Sequence, residues 1–301
     1  MERKLFRFMN HNEKQNKLTY ENATGTIKYT LRDDVVFHYT MQNSKNALTG
    51  LVCALKGLKF EDVKELVVLN PITLNALLKE TIMDLKLILN SGEVMNIELQ
   101  TYMDALWERR SLLYWCRAFD MLKEGEDYSL LKPTSHYCIT NQELFEKTDE
   151  FFSQYKILNI KNHRPYTDLL SMNVLQLNHT ELATRKDVES GLLYWAELFN
   201  ASTWEEFKEL AKDNPSIEEV GKMIVKLSTD DQTAEILEGQ RRFREQMATT
   251  RHLLEDAQKK VAEMSETIAD KEATIADKEA TIAELQAEIQ RLKEASTRSK
   301  I

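Results

Sequence analysis

Residues 82–100 constrain the fold of this chain most, because their side chains alternate between apolar and polar with a period of two. Successive side chains of a β-strand point to opposite faces, so this alternation predicts two strands. Asn-Ser-Gly at 90–92 interrupts the pattern. A three-residue hairpin loop usually ends in a left-handed residue, and Gly92 adopts that conformation without steric cost. The segment therefore predicts a β-hairpin with a defined register.

The turn determines which side chains of the hairpin lie opposite one another. Counting back from Gly92, Asp84 faces Glu98 and Ile82 faces Gln100, all on one side of the hairpin. Side chains directly opposed on one face have Cβ atoms about 4.5–5.5 Å apart. The other face is apolar and consists of Met83, Leu85, Leu87, Leu89, Met95, Ile97 and Leu99.

Two directly opposed carboxylates, Asp84 and Glu98, would repel each other and destabilise the hairpin. A shared divalent cation would relieve this repulsion, because Mg²⁺ binds one or two carboxylates together with water and phosphate oxygens. Alternatively, this face is solvated and the acids serve solubility. The hairpin alone leaves both interpretations open.

Composition narrows the class of protein. The chain has 301 residues, 35.1 kDa, a mean hydropathy of −0.48 and a net charge of −9. The charge argues against a protein that coats nucleic acid non-specifically, but not against a nuclease with an acidic metal site. No apolar run approaches the roughly 20 residues of a membrane span, and the N-terminal segment has no signal-peptide core. We expect a cytoplasmic protein without membrane contact, with Cys53, Cys116 and Cys138 as core thiols.

The C-terminal part carries a long apolar heptad repeat. The sequence TIADKEA occurs in tandem at 267–273 and 274–280. One core row comprises Met247, Leu254, Val261, Ile268, Ile275, Ile282 and Ile289. The second comprises Thr250, Ala257, Met264, Lys271, Lys278, Leu285 and Leu292. This pattern, free of Gly and Pro, predicts a coiled coil over 246–295 that self-associates, with 296–301 as a disordered tail.

The remaining segments predict an α/β domain over 1–186 and a helical region over 187–245. WERRSLLYWCRAFDMLKEG is a helix ending at Gly125, with Leu112, Trp115 and Cys116 facing inward. TSHYCIT, QYKILNI and SMNVLQL are strand-like, which with the hairpin predicts a mixed central sheet. DVESGLLYWAELF is interpreted as one helix with Asp187 as its N-cap.

Several stretches occur in a characteristic order: DDVVFHYTM, LNP, KETIMDLKLILNSGEVMNIELQ, WERRSLLYW, GEDYSLLKP and YTDLLSMNVLQL, followed by the helical run from LLYWAELF to RRFREQM. Together they resemble the PD-(D/E)XK nuclease family of transposase-like proteins, also called recombination-promoting nucleases. The resemblance covers roughly residues 30–245 and excludes the coiled coil. It implies a restriction-endonuclease-like core that hydrolyses DNA phosphodiesters with Mg²⁺, for which Mn²⁺ is a substitute.

The resemblance also implies which residues form the site. Asp84 and Glu98 would hold the metal with the backbone carbonyl of Leu99, and Gln100 would be the third catalytic residue. The wider superfamily has Lys at this third position. Gln cannot act as a general base, but it can position water through hydrogen bonds.

Three further residues are accessory candidates: Asp34 and Arg110 match residues of the family, and Lys86 shares the face of the two acids. Asp34 could add a metal ligand or hold water, or be an N-cap or surface acid. Lys86 could contact phosphate or be a cross-strand charge partner. Arg110 could clamp a DNA phosphate or pair with Glu98. Three histidines lack the spacing of metal ligands and are assigned no role: His136, His163 and His179.

The sequence is therefore interpreted as a Mg²⁺-dependent DNA endonuclease that self-associates through its C-terminal coil and promotes recombination. The alternative is a non-enzymatic, DNA-associated interaction protein with a degenerate nuclease core, whose coil recruits a partner. Gln100 and the negative charge leave room for this alternative, whereas the pair of Asp84 and Glu98 on one face argues against it.

Overall fold

The fold combines one mixed β-sheet with helices on both of its faces. A computed structural model describes residues 18–69, 84–101, 106–144 and 150–298. Its helices are α1 (Asp34–Asn43), α2 (Lys45–Lys56), α3 (Trp107–Phe119), α4 (Arg185–Glu189), α5 (Leu192–Asn200), α6 (Trp204–Ala211), α7 (Pro215–Thr229) and α8 (Asp231–Arg298). Its strands are β1 (Leu66–Val68), β2 (Leu85–Leu89), β3 (Val94–Gln100), β4 (Thr134–Thr140), β5 (Phe152–Lys156) and β6 (Leu170–Gln176).

The six strands form a single sheet in the order β1-β2-β3-β4-β6-β5. Strand β4 runs parallel to β3 and to β6, and the other neighbouring pairs are antiparallel. The expected α/β fold with a mixed central sheet is confirmed. Because β3, β4 and β6 run in one direction, side chains at equivalent positions of these three strands form rows across the sheet.

The hairpin of β2 and β3 has the register that the sequence predicts. Leu85 pairs with Ile97 and Leu87 with Met95, and continuing this register places Asp84 opposite Glu98. The turn glycine, at position 92, has φ +83°, as the three-residue loop requires. The expected pairing of Ile82 with Gln100, and the place of Met83 on the apolar face, lie outside the described residues.

One face of the sheet packs against most of the helices. The apolar face of the hairpin joins a contiguous buried core that includes side chains from α1, α2, α5, α6 and α7. The helices after residue 186 supply large side chains to this core, among them Trp195, Phe199 and Ile224. Helices before and after residue 186 thus contribute to the core that holds the hairpin in place.

Helix α3 covers part of the opposite face, and its orientation differs from the expectation. Trp107, Ser111 and Trp115 are buried, and Trp115 Nε1 donates a hydrogen bond to the carbonyl oxygen of Thr134, 3.1 Å away. Leu112 is exposed, and so is Cys116, one helical turn further on. The bond to β4 and the burial of the two tryptophans determine the inward face. Cys116 is therefore not a core thiol, and the helix ends at Phe119, ahead of Gly125.

The segment expected to form one helix from Asp187 forms two. Thr184 is the N-cap of α4, and Asp187 occupies the third helical position, where it accepts a hydrogen bond from the Thr184 amide at 2.8 Å. Gly191, at φ +79°, then separates α4 from α5. The hydroxyl and the carboxylate form a reciprocal capping box, which places the helix start earlier than a lone Asp cap would.

The chain divides into one compact unit up to Arg241 and a second from Arg242 onward. In the second unit, helix α8 continues to Arg298. Residues 296–298, which were expected to begin a disordered tail, are therefore helical. Its heptad side chains are more than half exposed: Leu254, Val261, Met264, Ile268, Ile275, Ile282, Leu285, Ile289 and Leu292. The helix expected for a coiled coil is thus present.

A search of the described residues for a long apolar helix that could cross a bilayer finds none.

Candidate active site

Two acidic residues of the hairpin, Asp84 and Glu98, lie on the sheet face that α3 covers. Asp84 immediately precedes β2 and is half-buried. Glu98 and Gln100 lie in β3, which is the third strand of the sheet, and only 3% and 1% of their surfaces are exposed. The interpretation of this face as solvated is therefore wrong for the two β3 residues. Burial of a carboxylate is costly unless charged or hydrogen-bonding partners compensate, so its partners define the site.

Arg110 of α3 joins the two buried side chains of β3. Its Nη2 donates to Oε1 of Glu98 and to Oε1 of Gln100. The arginine side chain is about a quarter exposed. Arg110 was expected to clamp a DNA phosphate or to pair with Glu98, and the structure contains the pairing with Glu98.

His136 of β4 lies in the same site, although the sequence analysis gave it no role. Strands β3 and β4 pair in parallel with Asn96 beside His136 and Glu98 beside Cys138. The Asn96 Nδ2 atom lies 3.2 Å from His136 Nδ1 and 3.3 Å from Asp84 Oδ2. With the amide donating to Nδ1, a neutral His136 ring carries its proton on Nε2, which faces Glu98.

One signal in the sequence could have identified His136. The strand TSHYCIT is fully buried, and His136 is its only ionisable side chain other than a tyrosine and a thiol. A completely buried imidazole needs polar partners. The need for these polar partners would have indicated that β4 lies beside β3, which carries Asn96 and Glu98.

The second carboxylate oxygen of Glu98 is the unusual atom of the site. Oε2 is buried and lies 3.3 Å from His136 Nε2, yet no hydrogen bond among the described residues is aligned with it. The contact with His136 is therefore electrostatic in character. A buried carboxylate oxygen without an aligned donor carries a desolvation penalty that a bound cation would remove.

The two carboxylates have opposite pKa shifts. Burial, and then the negative charge of Glu98, raise the pKa of Asp84 to about 6. Burial alone would also raise the pKa of Glu98, but His136 and then Arg110 outweigh it and hold this pKa below its usual value. Glu98 is thus ionised throughout the neutral range, and Asp84 ionises against its charge. Such a pair favours a divalent cation between the two groups.

Two carboxylates and main-chain or solvent oxygens are the donors available here. Among the residues that the structure describes, no group of three or more His, Cys, Asp or Glu side chains could hold a metal ion. Asp84, Glu98 and a carbonyl such as that of Leu99 suit Mg²⁺ or Mn²⁺, which retain several waters or phosphate oxygens as ligands.

The other accessory candidates occupy different places. Asp34 is the first residue of α1 and is half-buried; the N-cap of this helix is Asp33, so the alternative of Asp34 as an N-cap is wrong. Lys86 is half-buried and pairs with Asn96 across the hairpin, on the same face as the two acids. Their expected roles stay predictions.

The mixed sheet, with two acids opposed on neighbouring strands and a polar residue two positions after the second, defines a nuclease-like core. Comparison with family models agrees: the model of the PD-(D/E)XK nuclease family transposase matches residues 31–252. The chain belongs to this family, which implies a nuclease-like enzyme. No curated protein and no solved structure matches the chain.

Proposed function

We propose that this chain is a divalent-metal-dependent DNA endonuclease that uses Mg²⁺, or Mn²⁺ in its place, and acts in recombination. The observation that carries the proposal is the buried Glu98 Oε2 without an aligned donor, in a site where Asp84 lies directly opposite. In the rival interpretation, the same pocket is a degenerate remnant and the protein only associates with DNA and partners. A degenerate site has no reason to retain the unfavourable pair of carboxylates.

The residues have separate tasks in this proposal. Asp84, Glu98 and the Leu99 carbonyl would bind the ion, which, when bound, polarises the scissile phosphate and lowers the pKa of a water. Gln100 would orient that water through its amide, since it cannot accept the proton. Arg110 fixes Glu98 and Gln100 relative to each other and would stabilise charge on the phosphate. Asp34 and Lys86 would assist as an outer water ligand and a phosphate contact.

Metal binding distinguishes the proposal from its rival. Calorimetric titration with Mn²⁺ at pH 8 should show binding to the wild type and none to Asp84→Asn. Because the pKa of Asp84 is about 6, protons should compete with the metal, and the apparent affinity should fall below pH 6. Binding of equal strength in the variant, or no binding to the folded wild type, would favour the degenerate site.

His136 is a positioning residue in this proposal, because it contacts the ligand Glu98 rather than the metal. Truncation by His136→Ala should lower kcat and metal affinity about 10–100-fold, the range usual for groups that orient a ligand. His136→Gln retains a donor and an acceptor, so it should recover part of both losses. Steady-state kinetics at several Mg²⁺ concentrations measures this. Unchanged metal dependence in both variants would reduce His136 to a packing role.

Self-association through α8 belongs to the same proposal. A solitary helix would leave its β-branched stripe in water, whereas a second copy would bury it, although Lys271 and Lys278 weaken the seam. A dimer would bring two sites to one duplex and allow cutting of both strands.

Two charges placed on this stripe should abolish the dimer. We expect Ile268→Asp with Ile275→Asp to be monomeric in sedimentation equilibrium, because each charge would enter the buried seam. Ala273→Asp with Ala280→Asp adds the same charge to the outer heptad position and should remain dimeric. A wild type that sediments as a monomer would contradict the proposal, and equal cutting by a chain that ends at Met247 would show that catalysis does not need the coil.

A further inference from the structure

A short hairpin extends the sheet between β5 and β6, and it has no part in the site described above. It comprises residues 157–166, here called the basic arm. The Tyr166 amide donates to the Ile157 carbonyl at 2.9 Å, and the Asn159 amide donates to the Arg164 carbonyl at 2.9 Å. Strand β5, from which it continues, is the last strand at one edge of the sheet. The basic arm is therefore an ordered ribbon at this edge.

Side-chain hydrogen bonds fix the backbone at the tip of the basic arm. Asn159 Oδ1 accepts from the amide of Lys161 at 2.9 Å, and Asn162 Oδ1 accepts from the amide of Arg164 at 3.0 Å. His163 has φ +56°, in the left-handed region. These Asx turns fix the backbone of the tip before any partner arrives.

The side chains that the basic arm presents are apolar and cationic. Ile160 is 91% exposed and Tyr166 is 83% exposed. Lys161 and Arg164 are exposed, and neither forms an ion pair with any residue that the structure describes. No acidic residue occurs between 156 and 167, in a chain whose net charge is −9. The basic arm thus presents exposed apolar side chains and two cations together on one short hairpin.

We propose that the basic arm binds duplex DNA next to the scissile position, an inference that rests on the proposed nuclease function. A two-stranded ribbon fits the major groove of B-DNA, and apolar side chains such as Ile are used as wedges between base steps in the minor groove. Lys161 and Arg164 would contact phosphates, while Ile160 supplies the apolar contact. The local positive charge of the basic arm complements the phosphate backbone of DNA, and the test below distinguishes a second copy of this chain as the occupant.

The basic arm lies within reach of a duplex bound at the active site. Through the registers of β5, β6, β4 and β3, Ser153 is level with Glu98 and three strands away. Seven residues from Ser153 to Ile160 span at most about 23 Å, and three strand spacings add about 14 Å sideways. The separation from Glu98 to the tip is thus below about 30 Å. One turn of B-DNA covers about 34 Å, so one duplex can contact both.

Fluorescence anisotropy with a labelled 30-base-pair duplex tests this proposal. Titrations in EDTA between 50 and 300 mM KCl measure binding without cleavage. Lys161→Ala with Arg164→Ala should weaken binding about tenfold or more and lower the salt slope by about 2, because two phosphate contacts are lost. Ile160→Ser should weaken binding about tenfold with an unchanged slope. Arg185→Ala with Lys186→Ala, an exposed pair on α4, removes the same charge and should have little effect.

The outcomes separate this proposal from the nuclease function. If the wild type cleaves plasmid DNA and the arm variants bind the duplex as tightly as it does, the basic arm is not a DNA contact, although the nuclease assignment stands. If Arg185→Ala with Lys186→Ala weakens binding as much as Lys161→Ala with Arg164→Ala, the effect is one of net charge and the proposal fails. If Ile160→Ser changes the sedimentation mass of the protein but not its DNA affinity, the basic arm binds a second copy instead. Selective loss of binding in the arm variants supports the proposal whether or not the wild type cleaves.

Discussion

Asp84→Asn should abolish metal-dependent DNA cleavage and, at the same time, stabilise the protein. Loss of an ion ligand removes several kcal/mol of transition-state stabilisation, so the rate should fall by about 10³-fold or more. The stabilisation arises because the carboxylate of Asp84 is desolvated by burial and ionises beside the negative charge of Glu98. Asn retains an oxygen that accepts the hydrogen bond from Asn96 but carries no charge.

The gain in stability from Asp84→Asn should depend on pH. The pKa of Asp84 is raised from 3.8 to about 6 on folding, so the wild type has no penalty below pH 4, loses stability between pH 4 and 6, and carries the full penalty above pH 6. Because the carboxyl is partly solvated, we expect the variant to gain about 1–2 kcal/mol at pH 8 in metal-free buffer and nothing at pH 4. Chemical denaturation in EDTA measures this difference. If the variant is less stable than the wild type at pH 8, ionised Asp84 is not destabilised by burial and by the charge of Glu98, which contradicts this account.

Glu98→Gln should also abolish cleavage, but with the opposite effect on stability. Glu98 is buried against Arg110 and His136, and both contacts favour its ionised form. Replacing the carboxylate leaves the partly buried guanidinium without its counter-charge, which should cost about 2–3 kcal/mol of unfolding free energy. Because the pKa of Glu98 is lowered on folding, its contribution to stability is present at neutral pH and is lost in acid.

Glu93→Gln is the matched control for this second variant. Glu93 forms a half-buried ion pair with Lys56 at 2.6 Å and accepts from Ser135 Oγ at 2.5 Å, away from the acidic site. Its loss should lower stability while leaving cleavage at the wild-type rate. If Glu98→Gln retains activity, or if both variants lose it in proportion to their stability, Glu98 is not a ligand of the catalytic ion.

The cross-strand position of Asp84 and Glu98 follows from local patterns that a sequence can supply. Strand period and a glycine turn determine the hairpin register from adjacent residues, so the opposition of these two acids was predictable. The same holds for the capping box of Thr203 and Glu206 at the start of α6, because Thr followed three residues later by Glu is a local sequence pattern.

Contacts between distant segments were not predictable in this way. His136 reaches Glu98 only because β4 pairs in parallel with β3 across a connection that includes α3, and no local pattern specifies that pairing. The face of α3 was likewise misjudged, because Leu112 is apolar yet exposed, whereas the small Ser111 is buried. Tertiary packing overrides residue hydrophobicity where a helix must deliver a polar group such as Arg110 to a site.

The central claim is that the opposed carboxylates form the metal site of a nuclease, and relaxation of a supercoiled plasmid tests it most directly. Wild type and Asp84→Asn would be compared at equal concentration with Mg²⁺, with Mn²⁺ and with EDTA. The account predicts nicking or linearisation by the wild type with either metal, none in EDTA, and none by the variant, which remains folded and is at least as stable. Cleavage by the variant at the wild-type rate, or an intact plasmid after incubation of the folded wild type with both metals, would contradict it.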